Sequence, residues 1–232
     1  MTAASDAAFY RLMSWLSPSF PVGAFTYSHG IEYAVEAGLL RDRAALVGWL
    51  CDLLEFGSGR NDAILFKLAW SAAADDEAAA LDEVLDWAAA LRPTSELALE
   101  SAAQGEAFLR AVRAAWPHPA LEALAARIVE RAVSPAYPVV VAVTAACHAV
   151  PLNAALSAFL HGFVANLISA AVRLVPLGQT DGQIALAALA RPVAETACVA
   201  SSATLADLGG AAAIAEFCSA AHETQYTRLF RS

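Results

Sequence analysis

One long uncharged segment limits what this chain can fold into. No Asp, Glu, Lys or Arg occurs between Arg131 and Arg173. A membrane-spanning helix needs about 20 consecutive apolar residues, but Pro138 and Pro151 divide this segment, and histidine and asparagine interrupt it further. We therefore interpret the segment as two separate helices buried in a protein core. Membrane spans and a surface that docks another protein are the alternatives that give a similar pattern.

The acidic, alanine-rich composition narrows the functional classes. Hydrophobic residues make up 59% of the 232 residues, and charged residues make up only 16%. The formal net charge is −9, without any basic run, which argues against binding to nucleic acid. The four cysteines lie far apart, so we expect buried, unpaired thiols in a reducing compartment. We see no secretion signal at the start of the sequence and expect a cytoplasmic protein without a membrane anchor.

Apolar residues recur at helical spacing along nearly the whole chain, and no internal repeat or flexible linker interrupts them. Asp42 is predicted to cap the helix that follows it, and residues 57–59 to end that helix. Pro192 and residues 209–210 are predicted to mark two later breaks. The pattern predicts an all-α, single-domain, irregular helical bundle of about ten helices over residues 1–232. The uncharged helices are predicted at about 138–149 and 152–174.

The least generic stretch is residues 15–32, which contain two prolines, two glycines and four aromatic residues before the first charge at Glu32. Loops are usually polar because their backbone groups need partners. An apolar, aromatic loop is therefore either packed beneath other elements or shaped for a partner. The candidate docking residues in this N-terminal segment (1–32) are Pro21, Gly23, Phe25, Tyr27, Ser28, His29 and Glu32.

A second unusual stretch is the C-terminal tail, residues 222–232. It interleaves aromatic and aliphatic side chains with arginine, and these residue types anchor many protein interfaces. The alternative is an amphipathic last helix that packs on its own domain. The candidate partner-binding residues in the tail are Glu223, Tyr226, Arg228, Leu229, Phe230 and Arg231.

A search for catalytic patterns finds no phosphate-binding loop of the Gly-x-x-x-x-Gly-Lys type and no Gly-x-Ser-x-Gly nucleophile elbow. Ser28 and His29 are adjacent in sequence, which does not place a base on a nucleophile. Cys147, His148 and His161 are potential metal ligands, but isolated core residues of these types are usually structural. We predict no catalytic residue, no resident metal and no cofactor.

The two terminal stretches together resemble the UreF family of urease accessory proteins. The family's N-terminal Ser-Pro-x-x-Pro-Val-Gly-x-Phe-x-Tyr-Ser-x-Gly-x-Glu pattern begins here at Ser17 and ends at Glu32. Its Tyr-Pro-Val and Pro-Leu-Gly-Gln segments are matched at 137–139 and 176–179. Its His-Glu-x-Gln-Tyr-x-Arg-Leu-Phe-Arg-Ser ending is matched at 222–232. The resemblance therefore extends in order along the chain.

The resemblance implies a non-enzymatic maturation factor for urease. Proteins of this family are all-α homodimers that join a scaffold of the UreD (UreH) type to the nickel-inserting GTPase UreG, and the complex engages apo-urease. The implied role is recruitment and regulation of the GTPase during nickel delivery, with nickel handled by the complex along a route that polar groups such as His29 would line without binding metal stably. We expect the tail to become ordered against the scaffold.

Two rival interpretations stay open on the sequence alone. The first is a helical hydrolase or metal-dependent enzyme that uses Ser28, His29 and Glu32. Such a site needs mutually positioned groups, which the sequence does not show. The second is a membrane-associated helical protein, for which the uncharged segment is the only indication.

Overall fold

A computed structural model describes residues 3–232, and side chains from residue 6 onward. The described residues form twelve α-helices and two short 3₁₀ helices, with no strand, which confirms the all-α prediction. The 3₁₀ helices are Ala24–Thr26 and Leu205–Asp207. The α-helices are α1 (Ala3–Trp15), α2 (Ile31–Glu36), α3 (Arg43–Glu55), α4 (Ser58–Ala74), α5 (Ala78–Ala90), α6 (Ser95–Ala115), α7 (Pro119–Glu130), α8 (Tyr137–Cys147), α9 (Leu152–Leu174), α10 (Gln179–Ala188), α11 (Ala190–Ser202) and α12 (Ala213–His222).

The helix boundaries confirm some local predictions and correct others. The Asp42 side chain accepts a hydrogen bond from the backbone N–H of Ala45, which confirms the predicted N-cap. Residues 57–59 were expected only to end a helix, but α4 already begins at Ser58. The break predicted near Pro192 is confirmed: α10 ends at Ala188, and α11 begins at Ala190, bent by 41° from α10. Pro192 lies in the first turn of α11, where proline is tolerated because that turn's N–H groups have no helical partners.

The uncharged segment forms the centre of the core. Helix α8 is buried from Pro138 through Ala145 and packs most extensively against α4 on one side and α6 on the other. Helix α9 runs beside α2, α10 and α11 and contributes its buried face to the same core. Burial of this many aliphatic side chains is the dominant favourable term in folding.

Helix α9 is also the single continuous helix in residues 3–232 that is long and apolar enough to cross a membrane. The bent pair α10–α11 would count as a second span if taken as one unit. Half of the most apolar window of α9 is buried inside the fold. This burial agrees with the interpretation of the segment as part of a protein core, because a core helix can be as long and apolar as a membrane-spanning one.

Two helices approach each other closely through a glycine. A Cβ atom added to Gly105 on α6 would lie 1.8 Å from the carbonyl oxygen of Pro135, just before α8. Any side chain there would force the backbones apart, so Gly105 is a packing requirement of the α6–α8 contact. This contact fixes α6, which carries two of the carboxylates described below.

The cysteines are all unpaired, as expected, but they are not all buried. Cys218 is buried, Cys51 and Cys147 are partly buried, and Cys198 is exposed on α11. The expectation of four buried thiols is therefore wrong for Cys198, because an alanine-rich helix buries only one face.

Candidate functional site

The two unusual stretches of the sequence meet in the folded chain. The carboxylate of Glu32 accepts hydrogen bonds from the backbone N–H groups of Leu229 at 2.6 Å and Phe230 at 2.9 Å. The Arg231 N–H donates to the Thr26 carbonyl at 2.8 Å. The Ser28 N–H donates to the backbone oxygen of Ser232 at 2.7 Å. We call this assembly, formed by residues 26–32, residues 222–232 and the carboxylates of Glu96 and Glu100, the terminal latch.

His222 is the centre of the latch and is fully buried. Its Nε2 lies 3.0 Å from Glu32 Oε2, and its Nδ1 lies 2.7 Å from Glu96 Oε2. Arg228 Nη1 donates to the other oxygen of Glu96 at 2.9 Å. Both ring nitrogens of His222 therefore lie within hydrogen-bond distance of a buried carboxylate oxygen, as the burial of polar groups requires.

The local backbone explains how the two ends are brought together. Gly30, which precedes α2, has a φ of +81°, and a Cβ atom added to it would lie 2.9 Å from the backbone nitrogen of Ser219 on α12. Glycine therefore permits both the turn and the close approach of α12 to α2. The Thr94 and Ser219 hydroxyls lie 2.8 Å apart and join α12 to the start of α6.

Helix α6 supplies the carboxylates from consecutive turns. Glu96 and Glu100 are four residues apart, so they lie on one face of the helix, and both are buried. Glu100 Oε2 accepts from the Ser232 hydroxyl at 2.8 Å, and its Oε1 accepts from the Gln104 amide at 3.2 Å. The tail therefore reaches three buried carboxylates that belong to two different helices.

The tail is already seated on its own chain, although the sequence reasoning expected a partner to order it. It is not an extension of the last helix either, since α12 ends at His222. Phe230 is buried, whereas Tyr226 is completely exposed and Leu229 is 67% exposed. The tail thus bonds several of its backbone groups to its own chain and still presents part of its apolar surface to solvent.

The candidate residues divide into a buried set and an exposed set. The buried set is Tyr27, Ser28, His29, Glu32 and Phe230. Ser28, His29 and Glu32 form hydrogen bonds within the latch, and all five side chains expose little surface to solvent. The exposed set is Pro21, Gly23, Phe25, Glu223, Tyr226, Arg228, Leu229 and Arg231.

Glu223 has a local structural role besides its exposure. Its carboxylate accepts from both the hydroxyl and the backbone N–H of Ser95, at 2.7 and 2.9 Å. These hydrogen bonds, with that from the Ser95 hydroxyl first, lower the pKa of Glu223. The side chain therefore ties the start of the tail to the first turn of α6, where a negative charge is favoured by the helix dipole.

His29 does not pair with Ser28. Its Nε2 lies 2.7 Å from the hydroxyl of Ser58 and its Nδ1 lies 3.3 Å from Glu100 Oε2. Ser28 instead donates its hydroxyl to the backbone oxygen of Ser232. The order hydroxyl, imidazole, carboxylate is that of an activated nucleophile. However, the pocket that Ser58 lines holds only about 30 Å³, which is room for about one water molecule.

The suggested metal ligands do not form a site. The Cys147 thiol donates to the Thr144 carbonyl, and burial raises its pKa to about 11. His148 Nε2 lies 3.1 Å from the Trp116 carbonyl, and desolvation lowers its pKa. His161 is exposed on α9. Within the described residues, no three His, Cys, Asp or Glu side chains are arranged to hold a metal ion.

A larger cavity of about 250 Å³ lies between the aromatic loop, α6 and α9. Its walls are mostly apolar and include Phe20, Phe25, Phe159 and Phe163. His29 lines it as well, so the cavity borders the latch. Concave apolar spaces with a few polar groups are the usual form of binding sites in proteins.

Comparisons with known proteins place the chain in a family. The UreF family model matches residues 40–190. The chain is 52% identical over 233 residues to the protein named urease accessory protein UreF from Magnetococcus marinus, covering 98% of this chain and 99% of that one. It is 53% identical to the protein of the same name from Xanthobacter autotrophicus over 95% of this chain and 90% of that one. The chain belongs to the UreF family.

The matches to whole UreF proteins include both ends of the latch. The relative from Rhodopseudomonas palustris strain HaA2 is 51% identical across 100% of this chain and 97% of its own length. The match to the family model covers residues 40–190, so it includes Glu96 and Glu100 but neither residues 26–32 nor the tail. Both terminal segments of the latch lie within the length that full UreF proteins share with this chain.

Sequence reasoning missed four residues of this region, namely Ser58, Glu96, Glu100 and Arg173. The four-residue spacing of Glu96 and Glu100 at a predicted helix start was a visible signal, because both had to lie on one face. Nothing in the sequence connected Ser58 or Arg173 to the ends of the chain, since those contacts exist only after folding.

Proposed function

We propose that this UreF-family chain is an adaptor in urease maturation. It joins a scaffold of the UreD or UreH type to a GTPase of the UreG type and regulates GTP-dependent nickel delivery to apo-urease. The observation that supports the proposal best is the terminal latch. Its buried network holds exposed aromatic, aliphatic and arginine side chains from both ends of the chain beside one another, as a docking surface needs.

The sequence and the names of the relatives support the same role. The relatives carry the name urease accessory protein. The chain has no phosphate-binding loop, so hydrolysis of GTP is assigned to the partner. Nickel is cargo in this proposal, handled by the complex and passing this chain only transiently. We further propose that the chain acts as a homodimer in the cytoplasm.

Light scattering on a sizing column tests the adaptor proposal. The chain is run alone, then with the scaffold, and then with the scaffold and the GTPase. Truncation of the tail is unsuitable, because residues 229–232 are part of the internal hydrogen-bond network. The paired substitution Tyr226→Ala and Leu229→Ala removes exposed surface only, and Val129→Ala, exposed on α7, is the matched control.

A dimer that grows into a larger complex, with growth reduced by the paired substitution and unaffected by the control, would support the proposal. A wild-type chain that stays a monomer and ignores both partners would overturn it. A complex that forms equally well with the paired substitution would place the docking surface elsewhere on the molecule.

A second candidate function is serine hydrolysis, favoured by the Ser58–His29–Glu100 arrangement. A fluorophosphonate probe tests it directly, because the probe labels an activated serine. Labelling that is lost in Ser58→Ala and His29→Ala would favour the enzyme. The adaptor proposal predicts no labelling, because the adjoining pocket is too small for an acyl group and the arrangement serves to anchor the loop.

A further inference from the structure

Arg173, near the end of α9, carries a positive charge that no described carboxylate neutralises. Its guanidinium carbon lies 3.7 Å from the centroid of the Phe25 ring and 4.3 Å from that of Phe230. No carboxylate of the described residues lies within 4.0 Å of its nitrogens. We call Phe25, Arg173 and Phe230 the arginine clamp. One ring comes from the N-terminal loop and the other from the tail, so the clamp exists only when the latch is closed.

The two arginines beside Phe230 in the tail differ in whether a carboxylate pairs with them. Arg228, two residues before Phe230, is paired with Glu96. Arg231, the residue after Phe230, is exposed and also lacks a described carboxylate within 4.0 Å. In a chain whose net charge is −9, this edge of the latch therefore carries unneutralised positive charge. Charge complementarity favours a partner that presents carboxylates here.

The guanidinium of Arg173 is held in place, but not all of its N–H donors have a hydrogen-bond partner. Nε donates to the Ser169 carbonyl at 3.1 Å, and Nη2 donates to the Phe25 carbonyl at 2.9 Å. Nη1 has no hydrogen-bond partner among the described residues and is not a buried atom. Desolvation lowers the pKa of Arg173, as expected for a cation that contacts two aromatic rings. A fixed, partly desolvated guanidinium loses little further freedom when it binds a carboxylate.

The apolar cavity adjoins the clamp. Phe25 forms part of its wall, and so does Ser169, whose carbonyl orients Arg173. The cavity of about 250 Å³ is large enough to accept an apolar side chain of a partner. A carboxylate on Arg173 would therefore lie next to an apolar side chain in the cavity.

We propose that the arginine clamp and the adjoining cavity dock an acidic segment of a partner protein that also carries an aromatic residue. The carboxylate binds Arg173, and the aromatic side chain enters the cavity. This inference rests on the proposed adaptor function, for which it specifies the chemistry of the partner. It assigns a recognition role to Arg173, which lies outside both terminal sequence motifs.

A pair of short peptides tests the recognition chemistry on the intact chain. The probes are acetyl-Asp-Phe-Asp-amide and its neutral counterpart acetyl-Asn-Phe-Asn-amide, and the readout is the NMR shift of the Arg173 Nε–H group. We expect the acidic peptide to bind about tenfold more tightly, since hydrogen bonds to charged groups are the stronger ones. Equal binding of the two peptides, or binding of neither, would overturn the proposal.

Substitutions assign the effect to Arg173. The preference for the acidic peptide, read from shifts of nearby backbone amides, should be lost in Arg173→Gln and reduced in Arg173→Lys, which keeps the charge without the planar fork. Arg110→Gln is the matched control, because Arg110 is a highly exposed arginine on α6 that is paired only within its own helix. A preference retained by Arg173→Gln would contradict the assignment.

Binding to the scaffold and to the GTPase separates this inference from the adaptor function. If wild type binds the partners and Arg173→Gln weakens binding about tenfold, both stand. If the partners bind and Arg173→Gln has no effect, the adaptor function stands and the inference fails. If the acidic peptide binds through Arg173 but neither partner binds, the recognition chemistry stands and the adaptor function fails.

Discussion

The terminal latch and the surface formed by α5, α6 and α7 use the same residue types in opposite surroundings. On that surface Arg127 pairs with Asp82 at 2.7 Å, Arg131 bonds to Asp86, and Arg113 bonds to Glu122. These side chains remain between 26% and 57% exposed. In the latch, the side chains of His222, Glu32 and Glu96 are 0%, 9% and 9% exposed.

The difference in exposure decides what each network does. An exposed ion pair contributes about 0.2–1 kcal/mol, because water and salt screen it. A buried charged group contributes little net stability when paired, but it becomes very costly when its partner is removed. Each surface pair can therefore be removed with little loss of stability. Removal of one member of the latch should instead destabilise the whole hydrogen-bond network. Three predictions test this contrast, from the largest expected effect to the smallest.

Glu32→Ala should lower the free energy of unfolding by about 3–5 kcal/mol, because it leaves His222 and two backbone N–H groups without their acceptor. Glu122→Ala on the surface should cost less than about 1 kcal/mol. Urea unfolding followed by circular dichroism measures both. Should Glu32→Ala fail to fold, Glu32→Gln provides the comparison, and similar costs for the two sites would remove the distinction between the networks.

Gly30→Ala should destabilise the chain by about 2–4 kcal/mol, since it combines a strained backbone with a Cβ placed 2.9 Å from Ser219. Gly23→Ala provides the matched control. It shares the positive φ, at +72°, but its Cβ would meet nothing within 4 Å, so only the strain of about 1–2 kcal/mol applies. Thermal unfolding distinguishes them. A Gly23 variant as unstable as the Gly30 variant would show that α12 does not depend on its close approach to α2.

Glu223→Gln should have the smallest effect and should depend on pH. The Ser95 hydrogen bonds lower the pKa of Glu223 in the folded chain, so the unfolded chain binds the proton more readily. The stabilisation is thus fully present above the ordinary carboxyl pKa and is lost as the pH falls through the lower, folded value. At neutral pH the variant should melt about 1–2 °C below wild type. A difference in melting temperature that does not shrink in acid would contradict this assignment.

Much of the fold was predictable from sequence because its signals are local. Helical periodicity, the Asp42 cap and the two prolines around α8 each affect only residues that are close to them in sequence. Positions of helix starts were less predictable: α4 begins at Ser58, within residues 57–59, which were expected only to end α3.

The site was predictable only in part, for a physical reason. Periodicity and composition marked residues 15–32 and 222–232 as unusual, but they do not state which residues touch across the chain. His222 and Glu32 are separated by 190 positions, and His29 pairs with Ser58 rather than with its neighbour Ser28. The burial of Phe230 and the exposure of Tyr226 follow from that tertiary arrangement, which no window of sequence contains.

The separation between the two halves of the latch has a consequence for the order of folding. Ser28 and Ser232 are 204 positions apart, and the entropy cost of closing a loop rises with its length, by about 0.6 kcal/mol for each doubling. Contacts between such distant segments also form slowly. Helices such as α4 and α8 can pack earlier, since their closure involves shorter loops. We therefore expect latch closure to be a late event, with the arginine clamp formed only at that point. A partner that recognises the clamp would bind the fully folded chain but not its folding intermediates. Binding at this docking surface would therefore depend on completed folding.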